Sequence, residues 1–392
     1  TPNMLCHHRR PSHRASGMSA THTPGDHLAT QIPAITVIRG FAAMWVMLFH
    51  LYEFSHRADL SFGPLDFSPW LLSGYLGVDL FFVLSGFLLV QGFTHPAREP
   101  IRLRVFWRHR FRRVLPALWA QLAILLGILA ATGSALPSLF EIGTLFSLSF
   151  NLWANDTALN PVYWSMPVEW NFYMLLPLLA LGFRGTRKRM VSTLILLVAS
   201  ALAFRWLCIW SVTTYGEEGV VLARWIIQLP GRIDQFALGM AAAWCVLHCR
   251  PTARFVHWLV WLGCATALGL AAFAVHLGNY IIELQQPWSW LFTTLIGASF
   301  AVLVLGVATA RDSLASKLLA SRTLVWLGTI SYSLYLWHFP ILQGFTKVFA
   351  RPVGAWDALW LVGLILLVSA LSQRAFEQPF LRRDRAPQHR DA

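Results

Sequence analysis

The sequence predicts an all-α, polytopic membrane protein with about ten transmembrane helices and both termini cytoplasmic, and three observations support this. Of the 392 residues, 56% are hydrophobic and 12% charged, a balance too apolar for a water-soluble domain; the mean hydropathy is +0.54. Apolar runs close to the roughly twenty residues that cross a hydrocarbon core recur along the chain. Basic residues gather in alternate connections, as retention of Lys and Arg on the cytoplasmic side requires.

In chain order the apolar runs cover residues 35–51, 71–93, 114–135, 162–183, 190–210, 229–248, 255–276, 288–309, 323–343 and 355–373. Residues 1–34 form a polar tail rich in His, Pro and Thr, with no apolar stretch suited to a cleavable signal. The first run is therefore expected to be its own anchor, and Met18 is a candidate natural start. With the N-terminus inside, the cytoplasmic segments are that tail, 94–113, 184–189, 249–254, 310–322 and a basic C-terminal tail, 374–392; together they hold 24 of the 31 Lys and Arg. The outer connections keep only Arg57, Lys347 and Arg351 and are mildly acidic. This asymmetry accounts for a net charge of +13 without a nucleic-acid partner. No connection is long enough for a soluble domain, so 35–373 reads as one membrane domain, with a short interfacial helix expected in the 136–161 connection. The five cysteines lie in the tail or in apolar runs, which argues against a disulfide framework. Cys245, His248 and Cys249 have a spacing that suits a metal but also plain helix packing, and no metal is expected.

Ionisable groups at bilayer depth are costly, so those present point to function. Arg39 and His50 are eleven positions apart in the first run, about 1100° of helical rotation, which puts them on one face about 16 Å apart along the axis. Alone, either reads as an interfacial side chain; together they mark a pathway, with Arg39 towards the cytoplasm and His50 towards the outside. Asp79 lies in the outer half of the second run, with Ser85 and Gly86 deeper, where small residues also suit close helix packing. In the fourth run Ser165 is a candidate cap and Pro167 suits the first turn; Glu169, which would also complement the helix dipole, reaches the depth of His50. Arg232 and Asp234 in the sixth run and His338 in the ninth converge on the same level, unless the first two pair with each other and His338 is an interfacial aromatic. On the inner side Arg98, Arg102, Arg104, Arg108, Arg110, Arg112 and Arg113 crowd into sixteen residues, a cluster that suits phosphate, topology signalling or anionic lipid alike.

Five stretches in order resemble the membrane-bound acyltransferase-3 family, whose members decorate cell-surface polysaccharides and related molecules. They are the Arg39–His50 pair, GVDLFFVLSGF (77–87), FWRHRFRRVLP (106–116), VYWSMPVEWNFY (162–173) and ISYSLYLWHFP (330–340). The likeness runs from about residue 33 to 380; one departure is that Trp170 and Asn171 follow Glu169, where family members commonly carry an acidic residue or Gln. The resemblance implies ten transmembrane helices in a bacterial inner membrane. It also implies an acyl coenzyme A donor on the cytoplasmic side and a saccharide or lipid-linked glycan acceptor on the outer side. The family's essential Arg and His map onto Arg39 and His50, and its basic loop motif onto Arg108, Arg110, Arg112 and Arg113.

Both readings share a mechanism. The arginines, with Ser85, would hold the donor, whose flexible arm reaches up past Arg39. Acyl coenzyme A, with acetyl the expected group, is then a co-substrate, and no cofactor is permanently bound. Neutral His50 would take the acceptor hydroxyl's proton, oriented by Glu169 or Asp79, while Trp164, Ser165, Tyr173, Arg232 and His338 would line the acceptor pocket. An acyl-histidine intermediate is the competing scheme. A transporter or flippase-like protein without this chemistry is the alternative class, marked by related halves and interrupted helices.

Overall fold

The first described helix, α1 (Pro33–Phe54), opens on a proline at a position where its missing N–H costs nothing. The computed structural model describes residues 33–57, 61–62, 65–152, 159–215, 224–249, 252–276, 289–310 and 321–382; most of the N-terminal tail and the end of the C-terminal tail lie outside them. After α1 come a two-stranded ribbon, Ser61–Phe62 with Leu65–Asp66, and α2 (Ser68–Leu72), which runs through a tight turn into α3 (Gly77–Thr94). Then follow α4 (Leu103–Ala131), α5 (Leu139–Ser147), α6 (Ser165–Gly182), α7 (Arg187–Tyr215), α8 (Leu229–His248), α9 (Ala253–His276) and α10 (Ser289–Thr309). The last elements are α11 (Arg322–Thr329), α12 (Ser331–Phe349), α13 (Ala355–Ser372), a wide turn at Gln373–Glu377 and α14 (Gln378–Arg382).

Among the described residues seven segments are long and apolar enough to cross a membrane: Pro33–Phe54, Ser68–Thr94, Leu103–Ala131, Arg187–Tyr215, Arg254–His276, Trp290–Thr309 and Ala355–Leu381. All ten predicted runs are predominantly helical, and the three outside this set are α6, α8 and α12. Those three carry Glu169, the Arg232–Asp234–Gln235 cluster and His338, so the polar side chains that lower their hydropathy are the ones placed around the interior.

The elements differ from expectation at four places. The basic run is helical from Leu103, because Arg is a good helix former and nothing from 103 to 115 breaks the pattern. The ninth run is broken at Ile330 into α11 and α12. Ser165 is no cap: the chain enters through a tight turn, Pro161–Trp164, capped by Asn160, so Ser165 is already helical. Beyond residue 373 the chain stays helical, with a widened turn ahead of Pro379, whose ring and missing N–H a regular turn would not accommodate. The helix expected in 136–161 is α5. Its Ser138–Glu141 capping box holds the Glu141 carboxyl below its usual range through hydrogen bonds from Ser138.

Two close crossings set the frame. A Cβ at Gly86 would collide with the Phe236 carbonyl and one at Gly239 with that of Val83, so α3 and α8 meet through their backbones. The Gly40 and Gly328 pair does the same for α1 and α11. A continuous core of Val83, Phe87, Phe172, Phe236, Ile296 and Leu336 fills the space between.

Candidate active site

A cavity of about 390 Å³ lies where α1, α3, α4, α6 and the α11–α12 arm meet. Its wall includes Arg39, Ser85, Arg110, Arg113, Ser165, Glu169, Tyr173, Tyr332 and Tyr335, with Gln373, Gln378 and Leu381 from the C-terminal turn. Arg110 and Arg113 are one helical turn apart and share a face of α4; Arg108 and Arg112 do not line the cavity. Ser85 Oγ donates to Glu169 Oε1 at 2.5 Å, and the Arg110 guanidinium lies 6.0 Å from the Tyr173 ring centre. Arg113 pairs at 3.6 Å with Glu377, which accepts a 2.5 Å hydrogen bond from Ser333.

Towards the other end Tyr335 closes the wall, its hydroxyl 2.7 Å from Ser165 Oγ and donating to the Val162 carbonyl at 2.8 Å. The Tyr335 ring stands 5.8 Å from that of His338, and neither His338 nor His50 lines the cavity. His338 is fully buried; its Nε2 is 3.1 Å from Nδ1 of half-buried His50, and its Nδ1 is 3.0 Å from the Leu334 carbonyl. The His50 Nδ1 is also 3.0 Å from the Val46 carbonyl. Phe49 and Phe339 flank the His50 ring at 4.9 and 5.1 Å. Thus Arg39 and His50 both face the α11–α12 arm, but an aromatic wall separates the cavity from the imidazole.

The expected carboxylate partner of His50 is elsewhere. Asp79 is buried and accepts from Arg232 at 2.6 Å and from Gln235 at 2.5 Å, a pair that satisfies a charge which burial would otherwise strand. Glu169 is bonded to Ser85 inside the cavity, so neither acid contacts the imidazole, whose side-chain neighbour is His338. Nor do Arg232 and Asp234 pair with each other. Asp234 accepts from Arg205 at 2.8 Å, and Arg205 donates further to the carbonyls of Trp290 and Gly231, each at 2.7 Å. Arg232 lies 5.9 Å over the Trp164 ring, away from the cavity. Of the predicted acceptor residues, then, Ser165 and Tyr173 line the cavity, whereas Trp164 and Arg232 do not.

Sequence reasoning missed Tyr332, Tyr335, Glu377 and a clamp on α12. Pro340 has no N–H, which leaves the Leu336 carbonyl without its helical partner. That carbonyl instead accepts from Gln121 Nε2 at 2.6 Å and Asn160 Nδ2 at 3.0 Å, and Tyr163 OH holds Gln121 at 2.7 Å. An acid in a basic tail and a Gln inside an apolar run were the available signals. Among the described residues no group of three His, Cys, Asp or Glu side chains is placed to hold a metal ion.

Apolar helices around a cavity whose wall mixes arginines and other polar groups with apolar side chains define a multi-pass membrane protein. The family model for acyltransferase-3, described as an acyltransferase domain, matches residues 32–373, and the chain belongs to that family. Peptidoglycan O-acetyltransferase OatA of Listeria monocytogenes serovar 1/2a is 26% identical over 367 residues, covering 89% of this chain and 55% of that protein. O-acetyltransferase OatA of Staphylococcus aureus strain NCTC 8325 is 25% identical over 375 residues, covering 90% of this chain and 57% of the relative. The chain therefore spans little more than half the length of these relatives. No solved structure matches it.

Proposed function

We propose that this chain is a membrane O-acyltransferase domain that moves an acyl group, acetyl in the first instance, from coenzyme A on the cytoplasmic side to a saccharide hydroxyl on the outer side. The observation that carries this reading is the cavity wall, in which Arg39, Arg110 and Arg113 stand with Ser85, Glu169 and Tyr173. Guanidinium groups suit the phosphates of a nucleotide, and a cavity of about 390 Å³ is of a size to take a thioester-bearing arm while the nucleotide stays among the arginines at its mouth. The basic asymmetry of the connections supports an inner-membrane protein of ten spans with both termini in the cytoplasm. Two relatives named as O-acetyltransferases, one of them of peptidoglycan, favour acetyl as the group and a cell-wall glycan as the acceptor.

His50 is the general base. The acceptor oxygen attacks the thioester carbonyl as its proton passes to His50 Nε2, a carbon–oxygen bond forms while the carbon–sulfur bond breaks, and the imidazolium returns the proton to the departing sulfur, releasing the thiol of coenzyme A. For this the arm must pass Tyr335, whose ring stands between the cavity and the histidine pair. The break at Ile330 is a feature the transporter reading shares, but membership of an acyltransferase family favours chemistry over transport. Incubating purified protein with acetyl coenzyme A and a glycan acceptor should release thiol and yield an acetylated product; His50→Ala should abolish both while remaining folded in detergent. Full transfer by that variant would remove His50 from the mechanism.

A further inference from the structure

We infer that His338 is the positioning residue for His50: it holds the imidazole with the Nδ1 proton committed and the Nε2 lone pair free. This rests on the reading of His50 as base and adds the group that sets its tautomer.

The argument is one of donors and acceptors. A backbone carbonyl only accepts, so His338 Nδ1, 3.0 Å from the Leu334 carbonyl, carries a proton. In neutral His338 the Nε2 atom is then an acceptor, and it faces His50 Nδ1 at 3.1 Å. His50 Nδ1 has the Val46 carbonyl as its second neighbour, at 3.0 Å. Both neighbours accept, so that nitrogen is the protonated one; the opposite tautomer pair would set lone pair against lone pair at each carbonyl. No described residue hydrogen-bonds Nε2 of His50.

Burial separates the two roles. His338 is sealed and cannot meet a substrate, whereas His50 is partly exposed. When His50 accepts a proton at Nε2, its Nδ1–H bond to His338 becomes charge-assisted and strengthens, so the contact stabilises the transition state more than the ground state. A buried carboxylate does this in a serine hydrolase triad; here a neutral imidazole supplies the acceptor. The clamp on the Leu336 carbonyl, two residues away, fixes the segment that carries His338.

The test combines kinetics with a direct view of the proton. Ring-¹⁵N-labelled protein, with the His50 signals assigned by their loss in His50→Ala, should show Nδ1 protonated and Nε2 bare at neutral pH; a protonated Nε2 overturns the inference whatever the activity. His338→Leu should lower kcat roughly 10- to 100-fold with the KM for acetyl coenzyme A unchanged, the loss of one charge-assisted hydrogen bond. His338→Gln, which keeps an acceptor towards His50, should recover most of that loss. A wild-type kcat in His338→Leu, or a Gln variant as slow as the Leu variant, sinks the positioning role. Activity surviving in His50→Ala instead sinks the base assignment. If His338→Leu does not fold, the Gln variant and the wild-type spectrum still decide.

Discussion

Arg110 and Arg113 project from one turn of α4 into the cavity, while Arg108 and Arg112 lie off that face. The four are adjacent in sequence and alike in charge, so only geometry distinguishes them. Arg110→Gln and Arg113→Gln should each weaken coenzyme A binding roughly 10-fold or more, the value of a charge-assisted hydrogen bond, and Arg108→Gln much less. Calorimetry in detergent would check this; equal losses at all three positions would mean that the run acts only as a diffuse positive field. Glu377 belongs to the same site through its ion pair with Arg113, although it lies in a stretch whose composition reads as a basic tail.

At the scale of elements, α12 carries the most information. Its proline frees a carbonyl, two amide side chains from α4 and the Asn160 turn take it up, and His338 sits just beyond. Pro340→Ala would supply an N–H able to bond the Leu336 carbonyl in competition with Gln121 and Asn160, so the latch should loosen and His338 shift relative to His50. The expected outcome is transfer slowed by about an order of magnitude or more, since small displacements of a catalytic group are costly, with little loss of thermal stability. Normal turnover in a folded Pro340→Ala protein would show that the proline and its freed carbonyl do not position the pair.

For the whole molecule, the buried charges act as ties. Arg205 in α7 reaches Asp234 and the Gly231 carbonyl in α8, and the Trp290 carbonyl and Thr294 in α10. Removing one member of such a buried pair costs about 3–5 kcal/mol. Arg205→Met should therefore lower the melting temperature sharply, and Arg205→Met with Asp234→Leu should cost less than the two changes summed; strict additivity would mean the two groups act independently. The helices were legible in the sequence, as were the polar side chains set within apolar runs, such as Arg39, Glu169 and Asp79, because burial of apolar surface and the expense of intramembrane charge are written locally. The pairings were not. Asp79 finds Arg232 across 153 positions and Gln121 finds Leu336 across 215, and no local rule reports who meets whom. The Gly86–Gly239 crossing has a mechanical outcome as well. At Gly86 and Gly239 the backbones of α3 and α8 meet with no side chain between them, so any larger residue there would wedge the two helices apart, and Gly328 plays the same part between α11 and α1. The α12 segment that carries His338 is pinned at a third point, by its amide latch on Leu336, so the break at Ile330 lies between two fixed anchors rather than at a free end.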